Sequence, residues 1–256
     1  MFFINFILCI DFSILKKLVK NMQEYFDATY IWDAFPTLIP FLKVTFLVVI
    51  LSVLFGSLLG FILAAMKIGK SKIAQHIAHG YTTILRCTPS IVLLFLVYYG
   101  VPAIFIHFGI DLNDMDKAIF VVLTFTLQFG AIMSEVIRTA YESIDKGQYE
   151  AAVSVGLSPA QAYRRIIFPQ AFVVALPNFG NGLLELLKEG SLAYTIGLID
   201  VMGKANMIIA SNYNSHALEI YIALSIIYWV LSIVIEQFFL KLEKLFGKGK
   251  QVVKNV

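Results

Sequence analysis

The chain has 256 residues, of which 59% are hydrophobic and only 14% charged, and its net charge is +3. Soluble domains are about 45–50% apolar and about 25% charged, so this composition, with a mean hydropathy of +0.81, predicts a protein surrounded by membrane lipid. It argues against a soluble enzyme, a disordered protein and a nucleic-acid-binding protein. Cys9 and Cys87 form no zinc motif or disulfide framework, and no metal or other cofactor is expected.

The N-terminal residues do not fit a membrane span. Residues 1–15 are apolar but interrupted by Asp11, and three lysines follow them at positions 16, 17 and 20. A secretory signal carries its positive charges before the apolar core and not after it. We therefore expect the natural protein to start at Met22, so that residues 1–21 are absent from it; the alternative is a helix at the membrane surface.

Five segments free of internal charge are candidates for membrane-spanning helices, since about 20 residues cross roughly 30 Å of hydrocarbon. They are residues 44–66, 87–110, 118–134, 166–184 and 220–235. The last extends to 217–241 if a glutamate near each edge is included. These segments predict an all-α membrane protein with five transmembrane helices. Its membrane domain would cover residues 36–245, between an N-terminal extension (1–35) and a basic tail (246–256).

Basic residues are divided unequally between the two sides of this arrangement. Four lie on one side, at positions 43, 117, 188 and 204, and thirteen on the other. Because Lys and Arg are enriched in cytoplasmic loops, the N-terminus is predicted outside and the C-terminus in the cytoplasm. The thirteen lie in a predicted loop over residues 67–86 (Lys67, Lys70, Lys72 and Arg86), in a second over residues 138–165 (Arg138, Lys146, Arg164 and Arg165) and in the C-terminal tail (Lys241, Lys244, Lys248, Lys250 and Lys254).

Residues 64–71 differ by one glycine from a phosphate-binding loop, but that loop requires a preceding strand. Here the preceding residues end a membrane span. We therefore interpret Lys67, Lys70 and Lys72 as cytoplasmic surface anchors and not as part of a phosphate-binding loop.

Two patterns concern the helices themselves. Small residues recur every four positions along the first span, at Ser52, Gly56, Gly60 and Ala64, and such a ridge lets another helix approach closely. The sequence does not identify that helix. Thr88 followed by Pro89 predicts an N-cap with proline at the first helical position of the second span.

The segment between the third and fourth spans, residues 138–168, is longer than a simple connection requires. Asp145 and Gln148 have the spacing of a capping box, and Gly156 suits the left-handed residue that ends a helix. Ser158, Pro159 and Gln161 then predict the start of a second short helix. The pattern indicates a helical hairpin, which either docks on a partner or has none.

Several motifs resemble one family. Glu150-Ala151-Ala152, with Gly156 and the later residues IIFP at 166–169, resembles the EAA motif of permease subunits of ATP-binding-cassette (ABC) importers. LRCTP at 85–89, Glu135-x-x-Arg138 and KEGSL at 188–192 are similar to motifs of the polar amino-acid branch. The chain departs from the usual pattern at Cys87, Phe168, Glu189 and Gly190.

The resemblance implies a type I importer permease in a bacterial inner membrane. Its partners would be a second permease subunit, identical or different, two cytoplasmic ATP-binding subunits, and an extracellular or periplasmic amino-acid-binding protein. The chain itself would not be an enzyme. The ATP-binding subunits would dock on the coupling loop, residues 138–168, through Glu150, Ala151, Ala152, Gly156 and Leu157.

Charged residues end the fourth span. Glu185, Lys188 and Glu189 are three and four positions apart, which brings them towards one helix face. Ionisable groups within a membrane usually face a cavity or a partner, so Glu185 and Lys188 are predicted to line the translocation path or its gate. The family resemblance at Lys188 and Ser191 supports this role and adds Ser191 to it. The alternative is a position at the outer membrane interface. Gln128 is a weaker candidate, because a lone amide more often bonds a neighbouring helix.

Residues 191–204 and 218–224 resemble cystine-importing members of the branch. L-cystine is therefore the predicted substrate, with glutamine, arginine and histidine as alternatives. An ion-coupled secondary carrier is a less favoured class, because such carriers commonly contain inverted repeats and this sequence shows no repeat.

Overall fold

Helices follow one another along residues 26–247, the part of the chain that the computed structural model describes. The residues around the expected start at Met22, and residues 248–256 of the basic tail, lie outside that part. The helices are α1 (Thr29–Leu38), α2 (Leu42–Ile68), α3 (Lys72–Cys87), α4 (Ser90–Ile106), α5 (Lys117–Glu142), α6 (Lys146–Ser154), α7 (Pro159–Ala162), α8 (Phe168–Glu189), α9 (Val201–Ser211) and α10 (Ala217–Phe246).

Four of the five predicted spans fall on single membrane-length helical stretches, and the second falls on α4, which reaches that length only together with α3. Four stretches are long and apolar enough to cross a membrane, and α3 and α4 together make a fifth, bent by 108°. The four single stretches are Thr29–Ile68, Lys117–Glu142, Pro159–Ile196 and Ala217–Phe246. The all-helical membrane fold is thus confirmed, and the last three predicted spans, which cover 19 residues or fewer in the sequence, lie on stretches of 26 residues or longer. The first stretch begins with α1, so the boundary placed at residue 35 falls inside a helix.

The structure corrects the prediction for the region before the second span. Residues 67–86 were interpreted as a loop, but residues 72–87 form α3, whose first turn is capped by Ser71, the hydroxyl of which accepts a hydrogen bond from the Ala74 amide. The predicted cap at Thr88 is also wrong. Its hydroxyl instead donates to the Ile84 carbonyl at 2.8 Å, within the preceding helix, and α4 starts at Ser90.

The small-residue ridge of the first span packs on α5. A Cβ atom added at Gly56 would lie 3.0 Å from the Phe129 side chain, and one added at Gly60 would lie 2.7 Å from Cβ of Met133. Ser52 and Ala64, at the two ends of the ridge, are buried. The close approach that small residues permit therefore joins α2 to α5, which the sequence could not specify.

A second core joins α1, α9 and α10 around buried residues such as Leu38, Val201 and Ala223. Asp200, between the fourth and fifth spans, caps α9 by accepting a hydrogen bond from the Gly203 amide at 2.8 Å. Its other carboxylate oxygen accepts from the Thr45 hydroxyl at 3.2 Å. Burial raises the pKa of the Asp200 carboxyl above its ordinary value.

Candidate functional site

The loop between α5 and α8 forms the predicted helical hairpin. Asp145 caps α6 by accepting from the Gly147 amide at 2.6 Å, so the cap does not use Gln148 as the predicted box would. Gly156 has φ +88°, and its amide donates to the Val153 carbonyl, while the Leu157 amide donates to Ala152. This pair of bonds is the Schellman motif that closes helix C-termini, which confirms the left-handed glycine.

The second half of the hairpin is closed by a complete capping box. The Ser158 hydroxyl accepts from the Gln161 amide at 3.3 Å, and the Gln161 side chain accepts from the Ser158 amide at 2.9 Å. This confirms the predicted helix start at Pro159. The helix then passes through a π-helical turn, Tyr163–Ile167, into α8, a continuation that the sequence did not suggest.

Aromatic side chains hold the hairpin against the membrane helices. The Tyr163 ring lies 5.4 Å from that of Tyr149, 5.8 Å from Phe168 and 6.3 Å from Tyr141, measured between centroids. The hydroxyls of Tyr141 and Tyr163 are 3.3 Å apart. Sequence reasoning missed this cluster, although tyrosines on both sides of the EAA motif were a signal for it.

The docking residues predicted from the EAA motif differ in exposure. Glu150, Ala151 and Gly156 are exposed and Leu157 is half-buried. Ala152 is only 5% exposed, and its carbonyl is used in the Schellman motif. Ala151 can therefore contact a partner directly, whereas Ala152 packs within this chain.

A second candidate site, which is polar, lies where α4, α5 and α8 meet. Gln128 Nε2 donates to the Ser90 hydroxyl at 2.6 Å, and this hydroxyl donates to Glu189 Oε1 at 2.7 Å. The three residues line an open cavity of about 670 Å³, together with Arg86 and Glu185. Gln128 was the weaker sequence candidate for the translocation path. In the structure it both bonds a residue of a neighbouring helix and faces this cavity. Arg86, assigned to a cytoplasmic loop, lies on its wall.

Of the three predicted path residues, the structure brings Glu185 to the cavity wall together with Glu189. Successive helix residues turn by about 100°, so Glu189 projects roughly 40° from Glu185, while Lys188 projects roughly 60° in the opposite sense. Lys188 is exposed, and its carbonyl accepts from the Ser191 hydroxyl at 2.7 Å. Neither Lys188 nor Ser191 is among the residues that line the cavity.

The cavity is rich in hydrogen-bond acceptors. It contains the carboxylates of Glu185 and Glu189, and the buried Oε1 of Gln128 has no hydrogen-bond partner within the described part of the chain. A buried unpaired carbonyl is costly, so a guest that donates hydrogen bonds would be stabilised here. Arg86 supplies a positive charge on the same wall. A zwitterion with an ammonium and a carboxylate group matches this combination.

Lys67 is not the surface anchor that its position suggested. Its side chain is fully buried, and its ammonium group lies 2.6 Å from Glu135 Oε1. Charge counting along the sequence could not reveal this pair, because 68 residues separate its members.

Membrane-length helices beside a polar cavity, with a helical hairpin between two of them, are the arrangement expected of a helical membrane permease. Residues 56–247 match the family described as binding-protein-dependent transport system inner membrane component, and the chain belongs to this family. It is accordingly a multi-pass protein of the inner membrane. The family membership sets aside the ion-coupled secondary carrier.

Individual relatives narrow the class. The chain is 43% identical over 235 residues to the L-cystine transport system permease protein TcyL of Bacillus subtilis (strain 168), covering 92% of this chain and 98% of TcyL. It is 34% identical to the arginine transport system permease protein ArtQ of the same organism, covering 78% and 88%. The chain is a permease subunit of an amino-acid ABC importer, and these relatives are transport components.

A solved structure shares the fold over nearly its whole length. It is the crystal structure of an amino acid ABC transporter with histidines, with a TM-score of 0.75 and 30% sequence identity, covering 86% of this chain and 98% of that one. The methionine transporter MetNI in an inward-facing conformation, 18% identical with a TM-score of 0.60, has the same fold. The predicted type I importer permease fold is confirmed.

Proposed function

We propose that this chain carries L-cystine into the cytoplasm, as the permease of an importer powered by ATP hydrolysis in separate subunits. The observation that carries the proposal is the 43% identity to TcyL over almost the full length of both chains. A second L-cystine permease of Bacillus subtilis, TcyB, is 36% identical over 182 residues. The resemblance of residues 191–204 and 218–224 to cystine-importing members of the family supports the same substrate.

The partners would be two ATP-binding subunits, a second permease subunit and an external amino-acid-binding protein. With the N-terminus outside and the C-terminus in the cytoplasm, the α6 hairpin faces the ATP-binding subunits. Glu150 and Ala151 would form the contact, and Ala152, Gly156 and Leu157 would fix the shape of the hairpin. A rigid hairpin suits this role, because interfaces transmit rigid-body motion and a flexible loop absorbs it.

The docking role can be tested by two adjacent alanines. Ala151→Trp places a large side chain on an exposed position, so the permease should reach the membrane but co-purify with less ATP-binding subunit. Ala152→Trp is the matched variant at a buried position, and it should lower membrane abundance instead. Normal co-purification and uptake for Ala151→Trp would reject the docking surface.

The translocation path would run along the cavity, with Glu185, Glu189, Ser90 and Gln128 on its wall. Lys188 and Ser191, which the cavity does not include, remain proposed as part of the gate at its margin. The burial of Gln128 and its unpaired oxygen support a binding role for the cavity, since an isolated structural amide would find partners for both of its ends.

A cationic amino acid is the second candidate substrate. Two carboxylates, Glu185 and Glu189, share the cavity wall, and they would favour a side chain with a positive charge. Relatives named for arginine and for histidine, lysine, arginine and ornithine transport support this alternative.

Uptake measurements decide between the substrates. A strain without this gene and without redundant importers should lose uptake of radiolabelled L-cystine and regain it when the gene is restored. Arginine, glutamine and histidine uptake should change little. Unchanged cystine uptake would reject the L-cystine proposal, and a selective loss of arginine uptake would favour the second candidate.

A further inference from the structure

The buried ion pair of Lys67 joins three helices. The ammonium group, in the last turn of α2, donates to Glu135 Oε1 on α5 at 2.6 Å, to the Thr82 hydroxyl on α3 at 2.9 Å and to the Ser134 hydroxyl at 3.0 Å. An ammonium group has three hydrogens, so all of its donors are used. The group is held in one position by α2, α3 and α5 together.

The same network continues towards the coupling loop. The second carboxylate oxygen of Glu135 accepts two hydrogen bonds from Arg138, from Nε at 2.9 Å and from Nη2 at 2.7 Å. Arg138 also donates to Glu142, the last residue of α5, which lies three positions before the α6 cap at Asp145. A continuous series of charged groups therefore runs from the end of α2 to the base of the hairpin.

The network also leads to the polar cavity. Thr82 lies one helical turn before Arg86 on α3, and Arg86 lines the cavity. Gln128, another wall residue, lies two turns before Glu135 on α5. The helices that Lys67 joins are thus two of those that shape the proposed path.

Stability alone does not call for these charges. Removing two charges from water is expensive, and apolar side chains of similar volume often replace a buried ion pair without loss of stability. A fully satisfied network instead fixes how the helices are arranged, because its hydrogen bonds allow one discrete arrangement of the groups.

We propose that Lys67 and Glu135 are positioning residues that couple the α6 hairpin to the cavity, a role that rests on the proposed ATP-driven transport. When the hairpin moves with the ATP-binding subunits, the Arg138–Glu135–Lys67–Thr82 connection carries α3 with α5. The bend between α3 and α4 then shifts the cavity wall at Arg86 and Ser90.

The test separates folding from coupling. Glu135→Gln leaves the buried Lys67 ammonium without its charged partner, and Lys67→Met leaves Glu135 with Arg138 alone. Both single variants should reduce membrane abundance, Glu135→Gln more strongly. The double variant removes both charges, and Arg138 keeps Glu142, so abundance and association with the ATP-binding subunit should return. The purified complex should still hydrolyse ATP, while uptake of radiolabelled L-cystine per complex falls at least tenfold.

Two controls accompany the double variant. Lys67→Arg keeps a cation beside Glu135 and should retain most of the transport per ATP hydrolysed. Lys70→Met removes an exposed lysine just beyond the same helix and should behave as wild type. A purely structural pair would move transport and hydrolysis together, so their ratio is the decisive readout.

Three results would overturn the inference or its basis. Wild-type transport per complex in the double variant would show that the charges do not couple. A double variant that fails to accumulate would assign the pair to folding and would equally overturn the proposal. If the wild-type complex, measured in parallel, takes up no amino acid, the proposed function itself fails, which is distinct from either outcome.

Discussion

A substitution at Gly156 would perturb the backbone of the α6 hairpin without a steric clash. Its φ of +88° is unfavourable for residues with a side chain, yet a Cβ atom added there would meet no other atom within 4 Å. The cost of Gly156→Val is therefore conformational and not steric, at about 1–2 kcal/mol. That penalty lowers the equilibrium constant for closing the hairpin through the Schellman motif by roughly 5–30-fold.

The expected result is a loss of transport at normal membrane abundance. The hairpin lies between the membrane spans, so insertion should proceed. The chain would be assayed for uptake per permease molecule and for the amount of ATP-binding subunit that co-purifies. Both should fall for Gly156→Val, and Gly156→Asn should have a smaller effect because asparagine tolerates the left-handed region better.

Gly80 provides the matched control. It is also exposed, and a Cβ atom added there likewise meets nothing within 4 Å, but it lies in α3 with ordinary helical backbone angles. Gly80→Val should leave both measurements unchanged. Equal behaviour of the two valine variants, or wild-type uptake for Gly156→Val, would refute the conformational reasoning.

Three further outcomes are expected. Gly60→Leu forces a Cβ atom to 2.7 Å from Met133 and should cost about 1–3 kcal/mol by overpacking, which would lower the thermal transition temperature in detergent. Gly100→Ala, at a position with open space, should leave that temperature unchanged. Equal transition temperatures for the two variants would count against the α2–α5 contact. Because burial raises the pKa of Asp200, the native state binds the carboxyl proton more tightly than the unfolded chain does. Wild-type stability should therefore rise as the pH falls from above the folded-state pKa to below the unfolded-state pKa. Asp200→Asn should remove this pH dependence, and a variant with the wild-type pH profile would contradict the assignment to Asp200. Glu189→Gln keeps an acceptor for the Ser90 hydroxyl but removes the charge, and since a hydrogen bond to a charged group contributes about 1.5–3 kcal/mol, KM for uptake should rise about tenfold or more; an unchanged KM would place the substrate elsewhere.

Local rules predicted the features that depend on neighbouring residues. The left-handed turn at Gly156 and the capping box of Ser158 and Gln161 involve positions a few residues apart, and both are present. The ridge that includes Gly56 was also recognised, because helical periodicity places small residues on one face. Its partner α5 was not, since the identity of a packing helix depends on tertiary structure.

The missed features depend on contacts between distant residues. Ser90 bonds Gln128 and Glu189 across 38 and 99 positions, so a sequence read span by span treats each as an isolated polar group. Lys67 was counted as a surface charge for the same reason. The EAA motif predicts a partner contact for Ala152, but this residue is 5% exposed and so is buried within the chain itself.

The bend between α3 and α4 has a consequence for the surrounding lipid. At 1.5 Å per residue, the 17 residues of α4 extend about 26 Å, less than the roughly 30 Å of a typical hydrocarbon core. Because α3 departs at 108°, it adds little to this length. A span shorter than the hydrocarbon core is accommodated by thinning of the bilayer, by snorkelling of flanking side chains or by association with another subunit, at a cost of fractions of a kcal/mol per Å of mismatch. Acyl-chain length is therefore a variable that acts on this transporter along α4, and shorter chains reduce the mismatch there.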